Sequence, residues 1–167
     1  MAALKENIDA ACYFITKHSW KGKYKRIFSV GTHGITTYNP ANMEVTNQWP
    51  YSEFVGIIPN VKAPANNEFI ITMKKGGKKT ESMKFSTDHR ADLLTEALKF
   101  RNYFADASHA AKRFNAYKYH WSENRVPVIL EVNQGSLDQI DPHSNRVLCS
   151  YSYKDMEGLS LVREKVK

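Results

Sequence analysis

Basic and aromatic residues alternate near the amino terminus in the pattern Lys17-x-x-Trp20-x-x-x-Tyr24-x-Arg26. Three lysines are interleaved with this pattern: Lys21, Lys23 and Lys25. Ammonium and guanidinium groups that converge from two strands can donate several charge-assisted hydrogen bonds to phosphate oxygens, and arginine can do so as a fork. An indole at the rim suits the headgroup level of a membrane. The pattern therefore predicts a binding site for a phosphorylated headgroup, with Lys17, Trp20, Tyr24 and Arg26 as its main residues.

A second basic run begins around the Gly76-Gly77 pair with Lys74, Lys75, Lys78 and Lys79 and extends to Lys84. The first four lysines surround the glycine pair. Glycine pairs between two apolar runs are typical of hairpin turns, so these lysines are placed at a hairpin tip. Together with Lys21, Lys23 and Lys25 they are predicted as secondary basic contacts to a headgroup or leaflet. The alternative for the hairpin tip is a solvated turn without a ligand.

The overall charge supports a polyanionic ligand, and the sequence motifs that would indicate catalysis are absent. The chain has 24 Lys+Arg and 17 Asp+Glu residues, a net charge of +7, and no acidic residue lies between Ala10 and Met43. Such patches attract anionic lipids or nucleic acid. Nucleophile-elbow, phosphate-loop and zinc-protease motifs are absent from the sequence, and its histidines and two cysteines lack metal-ligand spacing. We therefore expect neither an enzyme, a metal site nor a cofactor.

Hydrophobic periodicity predicts a mainly β fold with one helix. Period-two segments suggest about seven strands from residue 11 to residue 85, and Lys23 to Val30 should place Tyr24, Arg26, Phe28 and Val30 on one face. The period then changes to 3.6, with Leu93, Ala97, Phe100 and Phe104 on one helical stripe. Seven antiparallel strands and a C-terminal helix that closes a bent sheet are typical of a pleckstrin-homology-like domain.

An internal repeat predicts a second copy of this fold. Lys17-His18-Ser19-Trp20 recurs as Lys118-Tyr119-His120-Trp121, and Tyr51 to Ile57 recurs as Tyr153 to Leu159. At the first offset Tyr24 and Arg26 correspond to Arg125 and Pro127, so Lys17 and Trp20 could instead be structural features of both copies. We predict a pleckstrin-homology-like domain at 1–107, a short linker at 108–112 and a truncated second repeat at 113–167.

Several uninterrupted runs also resemble one known family. The sequence from Met1 to about Leu159 is similar to the extreme N-terminus of the receptor-mediated endocytosis eight family, large endosomal co-chaperones of the DnaJ type. The resemblance rests on the runs at 16–20, 22–26, 28–33, 35–40, 45–51, 93–98 and 146–151. The tail from Ser160 to Lys167 departs from the family pattern, which suggests a natural short product or a fragment.

The resemblance implies a membrane address. The family's N-terminus is implicated in binding phosphatidylinositol 3-phosphate on early endosomes, and its lipid motif corresponds to Lys17, Trp20, Tyr24 and Arg26 here. Full-length relatives use a J domain to stimulate a 70-kDa heat-shock protein in clathrin and sorting-nexin dynamics, which supports retrograde and recycling traffic. The chain has no His-Pro-Asp motif, so the expected role is that of a cytoplasmic, peripheral module on early endosomes.

Two alternative functions follow from the same residues. A protein-interaction module of this fold would bind a partner beside its helix and would not bind lipid. A nucleic-acid-binding patch around Trp20, Tyr24 and Phe28 would bind single strands with a steep salt dependence. The second alternative is disfavoured because the basic residues cluster at one hairpin and do not form a long stripe, so no nucleic acid is expected as a partner.

Overall fold

The computed structural model describes residues 6–104, 111–119, 121–122, 124–156 and 159. Its first part contains seven strands followed by one helix: β1 (Asp9–Ser19), β2 (Gly22–Gly31), β3 (Gly34–Tyr38), β4 (Val45–Pro50), β5 (Phe54–Pro59), β6 (Glu68–Gly76), β7 (Lys79–Ser86) and α1 (Arg90–Phe104). Its second part contains four strands: β8 (Lys112–Tyr119), β9 (Arg125–Val132), β10 (Ser136–Ile140) and β11 (Val147–Ser152). No helix among these residues has both the length and the apolar character needed to cross a membrane.

The first seven strands form one antiparallel sheet in the order β4-β3-β2-β1-β7-β6-β5. Strand β1 pairs with β2 from Asp9 to Ser19 but with β7 only at Thr16, Lys17 and His18. This short contact joins the two halves of the sheet at one corner. Helix α1 packs on the sheet, where Leu93 and Ala97 are fully buried. The predicted fold class, a mainly β sheet of seven strands with one helix after it, is confirmed.

The core lies on one face of the sheet, which we call the inner face. On β1 and β2 this face carries Ile15 and Phe28, both buried, and the opposite face is the outer face. The rings of Phe28, Phe69 and Phe85 lie 5.5–5.7 Å apart, centroid to centroid. The predicted inward face of β2 is confirmed at Phe28 and Val30, which are both completely buried.

The second sheet repeats the local geometry of β1–β4. The Tyr51 hydroxyl donates a hydrogen bond to the Gly31 carbonyl at 2.6 Å, and the Tyr153 hydroxyl donates one to the Asn133 carbonyl at 2.7 Å. Each tyrosine begins a single-turn 3-10 helix, Tyr51–Glu53 and Tyr153–Asp155. The two equivalent tyrosines and their 3-10 helices thus have the same local structure in both copies. The proposed boundaries remain predictions, and residues 108–110 of the linker and Ser160–Lys167 lie outside the described residues.

Removal of the Tyr51 hydroxyl tests the contribution of this repeated contact. We expect Tyr51→Phe to lower the free energy of unfolding by about 1 kcal/mol, because a buried hydrogen bond is lost while the ring still packs. Urea denaturation followed by circular dichroism would measure the change. Tyr117→Phe is the control, since Tyr117 is exposed, and an equal loss in both variants would contradict a specific role for Tyr51.

The second sheet contacts α1 of the first repeat through polar groups. The Lys154 ammonium lies 2.6 Å from a Glu96 carboxylate oxygen and 3.7 Å from one of Asp92. The Gln134 side-chain amide donates to the Lys99 carbonyl at 3.3 Å. In addition, the Tyr13 hydroxyl of β1 donates to Asp92, so Asp92 is shared between β1 and the second sheet. The two repeats therefore meet at the side of α1.

Candidate functional site

Three of the four predicted lipid-binding residues lie together on the inner face. Lys17 of β1 is directly opposite Tyr24 of β2, and Arg26 is opposite Ile15 one step further along the same face. The Arg26 guanidinium carbon lies 5.4 Å from the centroid of the Tyr24 ring. The Lys17 ammonium donates to the Asn47 side-chain carbonyl of β4 at 3.3 Å. The inner face beyond the apolar core thus ends in a polar, cationic mouth.

The electrostatics of this mouth are unfavourable without an anion. Burial lowers the pKa of Lys17, nearby Arg26 lowers it further, and Glu81 has a smaller opposing effect. Among the residues that the structure describes, four ion pairs form, and none of them involves Lys17 or Arg26. Two cations therefore share one side of the hairpin and lack a paired carboxylate. A phosphate group would supply the missing negative charge.

Trp20 does not join this group on the inner face. It lies in the turn between β1 and β2 with 91% of its surface exposed, and the Lys21 ammonium is 5.1 Å from its ring centroid. Gly22 follows with φ +137°, a conformation that side chains rarely adopt, so the tight turn requires glycine here. The turn projects an indole and a lysine beyond the end of the sheet.

The interleaved lysines of β2 point to the outer face. Lys23 is opposite His18, and Lys25 is opposite Thr16, to whose hydroxyl its ammonium donates at 3.3 Å. A groove of about 520 Å³ opens on this face beside the turn. It is lined by His18, Ser19, Trp20, Lys21, Gly22, Lys23 and Lys84.

Three further residues lie around the hairpin that sequence reasoning did not assign to the site: His18, Asn47 and Lys84. His18 was next to the pattern but showed no metal-ligand spacing, and Asn47 had no distinguishing signal. Lys84 comes to the groove only through the pairing of β7 with β1, which places it opposite His18. The predicted lysines Lys74, Lys75, Lys78 and Lys79 lie exposed at the tip of the β6–β7 hairpin.

The second hairpin corrects one alignment made from sequence. Lys118 is opposite Val126 and Ala116 is opposite Val128, so the residues in the places of Tyr24 and Arg26 are valines rather than Arg125 and Pro127. The extra residue of the second repeat therefore precedes Arg125. Val128 is buried, so this hairpin continues its apolar face where the first one presents Arg26. The Lys-x-x-Trp element is common to both copies, whereas the inner-face cation pair belongs to the first.

Metal-binding geometry is not found in the part of the chain that the structure describes. No three side chains of histidine, cysteine, aspartate or glutamate gather there closely enough to hold an ion. The two cysteines, Cys12 and Cys149, are both free thiols on different sheets. The candidate site is therefore the β1–β2 hairpin, where the cationic side chains and the groove lie together.

Solved structures resemble the chain at the level of the fold. The C-terminal domain of an unknown protein from Leishmania infantum matches with a TM-score of 0.50 and 8% identity, over 59% of this chain and 87% of that one. The Slm1-PH domain in complex with inositol-4-phosphate matches with a TM-score of 0.46 and 12% identity, over 57% of this chain and 95% of that one. At such identities the likeness concerns the fold alone.

Sequence comparisons identify the family. DnaJ homolog subfamily C GRV2 of Arabidopsis thaliana is 30% identical over 96% of this chain, which spans only 6% of that protein's length. Residues 114–167 match the model of the DNAJ protein RME-8 2nd domain. Residues 12–104, more than half of the chain, match the model of the DNAJ protein RME-8 N-terminal domain. The chain therefore belongs to the RME-8 family of DnaJ-type proteins, the family that its sequence motifs resemble.

Proposed function

We propose that the chain is a non-catalytic module that addresses a DnaJ-type co-chaperone to membranes by binding phosphoinositides. The observation that carries this proposal is the unpaired cationic mouth of Lys17 and Arg26 on the inner face. Two like charges brought together and partly desolvated reduce stability, so an arrangement of this kind suggests a ligand of opposite charge. The proposed ligand is phosphatidylinositol 3-phosphate, and the proposed membrane is that of early endosomes.

The four main predicted residues have distinct roles in this proposal. Lys17 and Arg26 donate charge-assisted hydrogen bonds to the phosphate, and Arg26 can use two nitrogens of its fork. The ring of Tyr24 supports the Arg26 guanidinium from 5.4 Å. Trp20, exposed at the turn, enters the headgroup region, while Lys21 and the β6–β7 lysines contribute attraction to the anionic surface.

The expected affinity is modest. Five basic groups near an anionic surface at about 1 kcal/mol each contribute roughly 5 kcal/mol. A partly inserted indole adds about 2 kcal/mol, which gives a dissociation constant on the order of 10 μM. Reversible recruitment of this strength suits a module within a much longer protein.

Through that protein we propose a role in endosomal sorting, receptor-mediated endocytosis and recycling traffic, with a 70-kDa heat-shock protein and sorting nexins as partners.

Vesicle co-sedimentation of the full chain tests the proposal. Phosphatidylcholine vesicles would contain phosphatidylinositol 3-phosphate, another phosphoinositide or phosphatidylserine. We expect selective binding to phosphatidylinositol 3-phosphate, reduced about fivefold in Lys17→Ala and again in Arg26→Ala, because each removes about 1 kcal/mol of attraction. Lys62→Ala is the matched control, since Lys62 is exposed on a loop away from the hairpin.

Two results would contradict this function. Binding that follows total anionic charge and falls equally in Lys62→Ala would reduce the site to a general basic patch. No binding to any vesicle would favour the protein-interaction alternative.

A further inference from the structure

The outer face of the β1–β2 hairpin carries a second cationic site that the inner-face function does not use. We propose that His18, Lys23 and Lys84 form a binding site for a phosphate monoester, distinct from the site of Lys17 and Arg26. The ligand chemistry is a phosphorylated polyol, supplied either by a lipid headgroup or by a soluble inositol phosphate. The inference extends the proposed function but does not depend on it, because the two sites lie on opposite faces.

Strand register builds this site. His18 of β1 is opposite Lys23 in the β1–β2 pair and opposite Lys84 in the β1–β7 pair, so the three side chains form one row across three strands. Directly opposed side chains in an antiparallel pair have their Cβ atoms about 5 Å apart. An anion above His18 therefore lies within reach of a lysine on each side. Lys17, one residue earlier, points to the other face.

The groove has the size and access that a phosphorylated polyol needs. Its volume of about 520 Å³ falls in the range of small-ligand sites, roughly 300 to 1,000 Å³. Gly22 lines the groove and leaves it open, since a Cβ atom built there would meet nothing within 4 Å. The Ser19 hydroxyl accepts the Lys21 backbone N–H at 3.1 Å and so fixes the turn at the rim.

The charges of the groove are only partly compensated. One carboxylate, that of Glu68, lies 3.9 Å from the Lys84 ammonium, whose side chain is 45% exposed. No ion pair to Lys21 or Lys23 forms within the described residues. Like charges that flank a strand on both sides reduce stability, and a shared anion would offset that cost. The groove is thus electrostatically prepared for a negative ligand.

The pKa of His18 indicates whether an anion is bound in the groove. Burial lowers the pKa of His18, Glu68 of β6 opposes this effect, and Lys23 of β2 and Lys84 of β7 lower the pKa further. Its Nε2 lies 2.9 Å from the Ser86 hydroxyl oxygen, and the imidazole is neutral at neutral pH. A bound phosphate would raise this pKa, so binding takes up a proton. Occupancy of the groove should therefore be visible as a rise in the pKa of His18.

Nuclear magnetic resonance of the isotope-labelled full chain tests the inference. The probes are inositol 1,3-bisphosphate and phosphatidylcholine vesicles containing phosphatidylinositol 3-phosphate. We expect the soluble probe to shift the His18 imidazole resonances, and the apparent affinity to fall about tenfold or more in the double variant Lys23→Ala/Lys84→Ala. Lys62→Ala, on an exposed loop away from the hairpin, should leave it nearly unchanged. Circular dichroism would verify that each variant folds.

The two sites and the two ligand sources give separable outcomes. The double variant Lys17→Ala/Arg26→Ala separates the two sites. If its His18 resonances still respond to the probe while selective binding to phosphatidylinositol 3-phosphate vesicles is lost, both sites are supported. If the His18 response and the selective vesicle binding both persist, the outer site is supported and the inner site is contradicted. Line broadening by phosphatidylinositol 3-phosphate vesicles identifies a lipid ligand, whereas a response to the soluble probe alone identifies a soluble inositol phosphate. The inference is overturned if His18 responds to neither probe, if Lys23→Ala/Lys84→Ala responds like wild type, or if Lys62→Ala loses as much.

Discussion

Arg26→Glu is expected to weaken binding to phosphatidylinositol 3-phosphate vesicles about 30-fold without loss of stability. The substitution changes the charge at the inner-face mouth by two units, which at about 1 kcal/mol each gives roughly 2 kcal/mol. In the free protein, by contrast, the new carboxylate would face Lys17 and replace repulsion with attraction. The pKa of Lys17, which Arg26 now lowers, should rise. Binding and stability are therefore predicted to change independently, the first falling while the second holds or improves.

Vesicle co-sedimentation and urea denaturation of the same preparation would measure both quantities. Arg26→Lys keeps the charge and should retain most of the binding, with a smaller loss because lysine lacks the planar fork. Lys62→Glu makes the same two-unit change on an exposed loop and should have little effect. If Arg26→Glu unfolds the protein, Arg26 has a structural role and the mouth is not a ligand site.

Phe85→Ala is expected to have the largest effect on folding, a loss of about 3–5 kcal/mol in the free energy of unfolding. Phe85 is completely buried and its ring contacts those of Phe28, Phe69 and Trp49 at centroid distances of 5.6, 5.5 and 6.1 Å. It also lies opposite Lys17 in the three-residue contact that joins the two halves of the sheet. Since single domains have about 5–15 kcal/mol of stability, a loss of this size approaches complete unfolding.

Urea denaturation would record this loss as a midpoint lowered by about 2 M, given a typical slope of 1–3 kcal/mol per molar urea. Phe14→Ala provides the control, because Phe14 lies on the outer face of β1 and is 76% exposed. Its effect should stay within about 0.5 kcal/mol. Equal midpoints for the two variants would show that the aromatic cluster does not dominate the core.

Local periodicity was sufficient to predict most of the fold. Alternation along β2 gave the inward positions of Phe28 and Val30, and the 3.6-residue stripe gave the buried Leu93 and Ala97. Both signals are local, because side-chain direction follows from neighbours two to four residues away. The same alternation also gave Tyr24 and Arg26 a shared face, which the β1–β2 register then joins to Lys17.

The outer groove could not be predicted, because it depends on a long-range register. Lys84 meets His18 through a pairing of β1 and β7 that contains only three residue pairs. A shift of one residue in that pairing would move Lys84 away from His18 and change which face it shares. Trp20 also differs from the prediction, since it does not join Lys17, Tyr24 and Arg26. It belongs to the turn, so strand alternation does not determine the direction of its side chain.

If the turn contacts a leaflet as proposed, the shared carboxylate of Asp92 sets the distance between that leaflet and the second repeat. Asp92 binds both Tyr13 and Lys154, so the second repeat is held at the level of Tyr13 along β1. Ser19, at the start of the turn, is six residues further on, about 20 Å at the rise of an extended strand. With β1 along the membrane normal, a leaflet that the turn contacts would stand more than two Debye lengths, each about 8 Å, from that junction. Under the proposed function, the part of the second repeat at this junction would be electrically screened from the lipid surface.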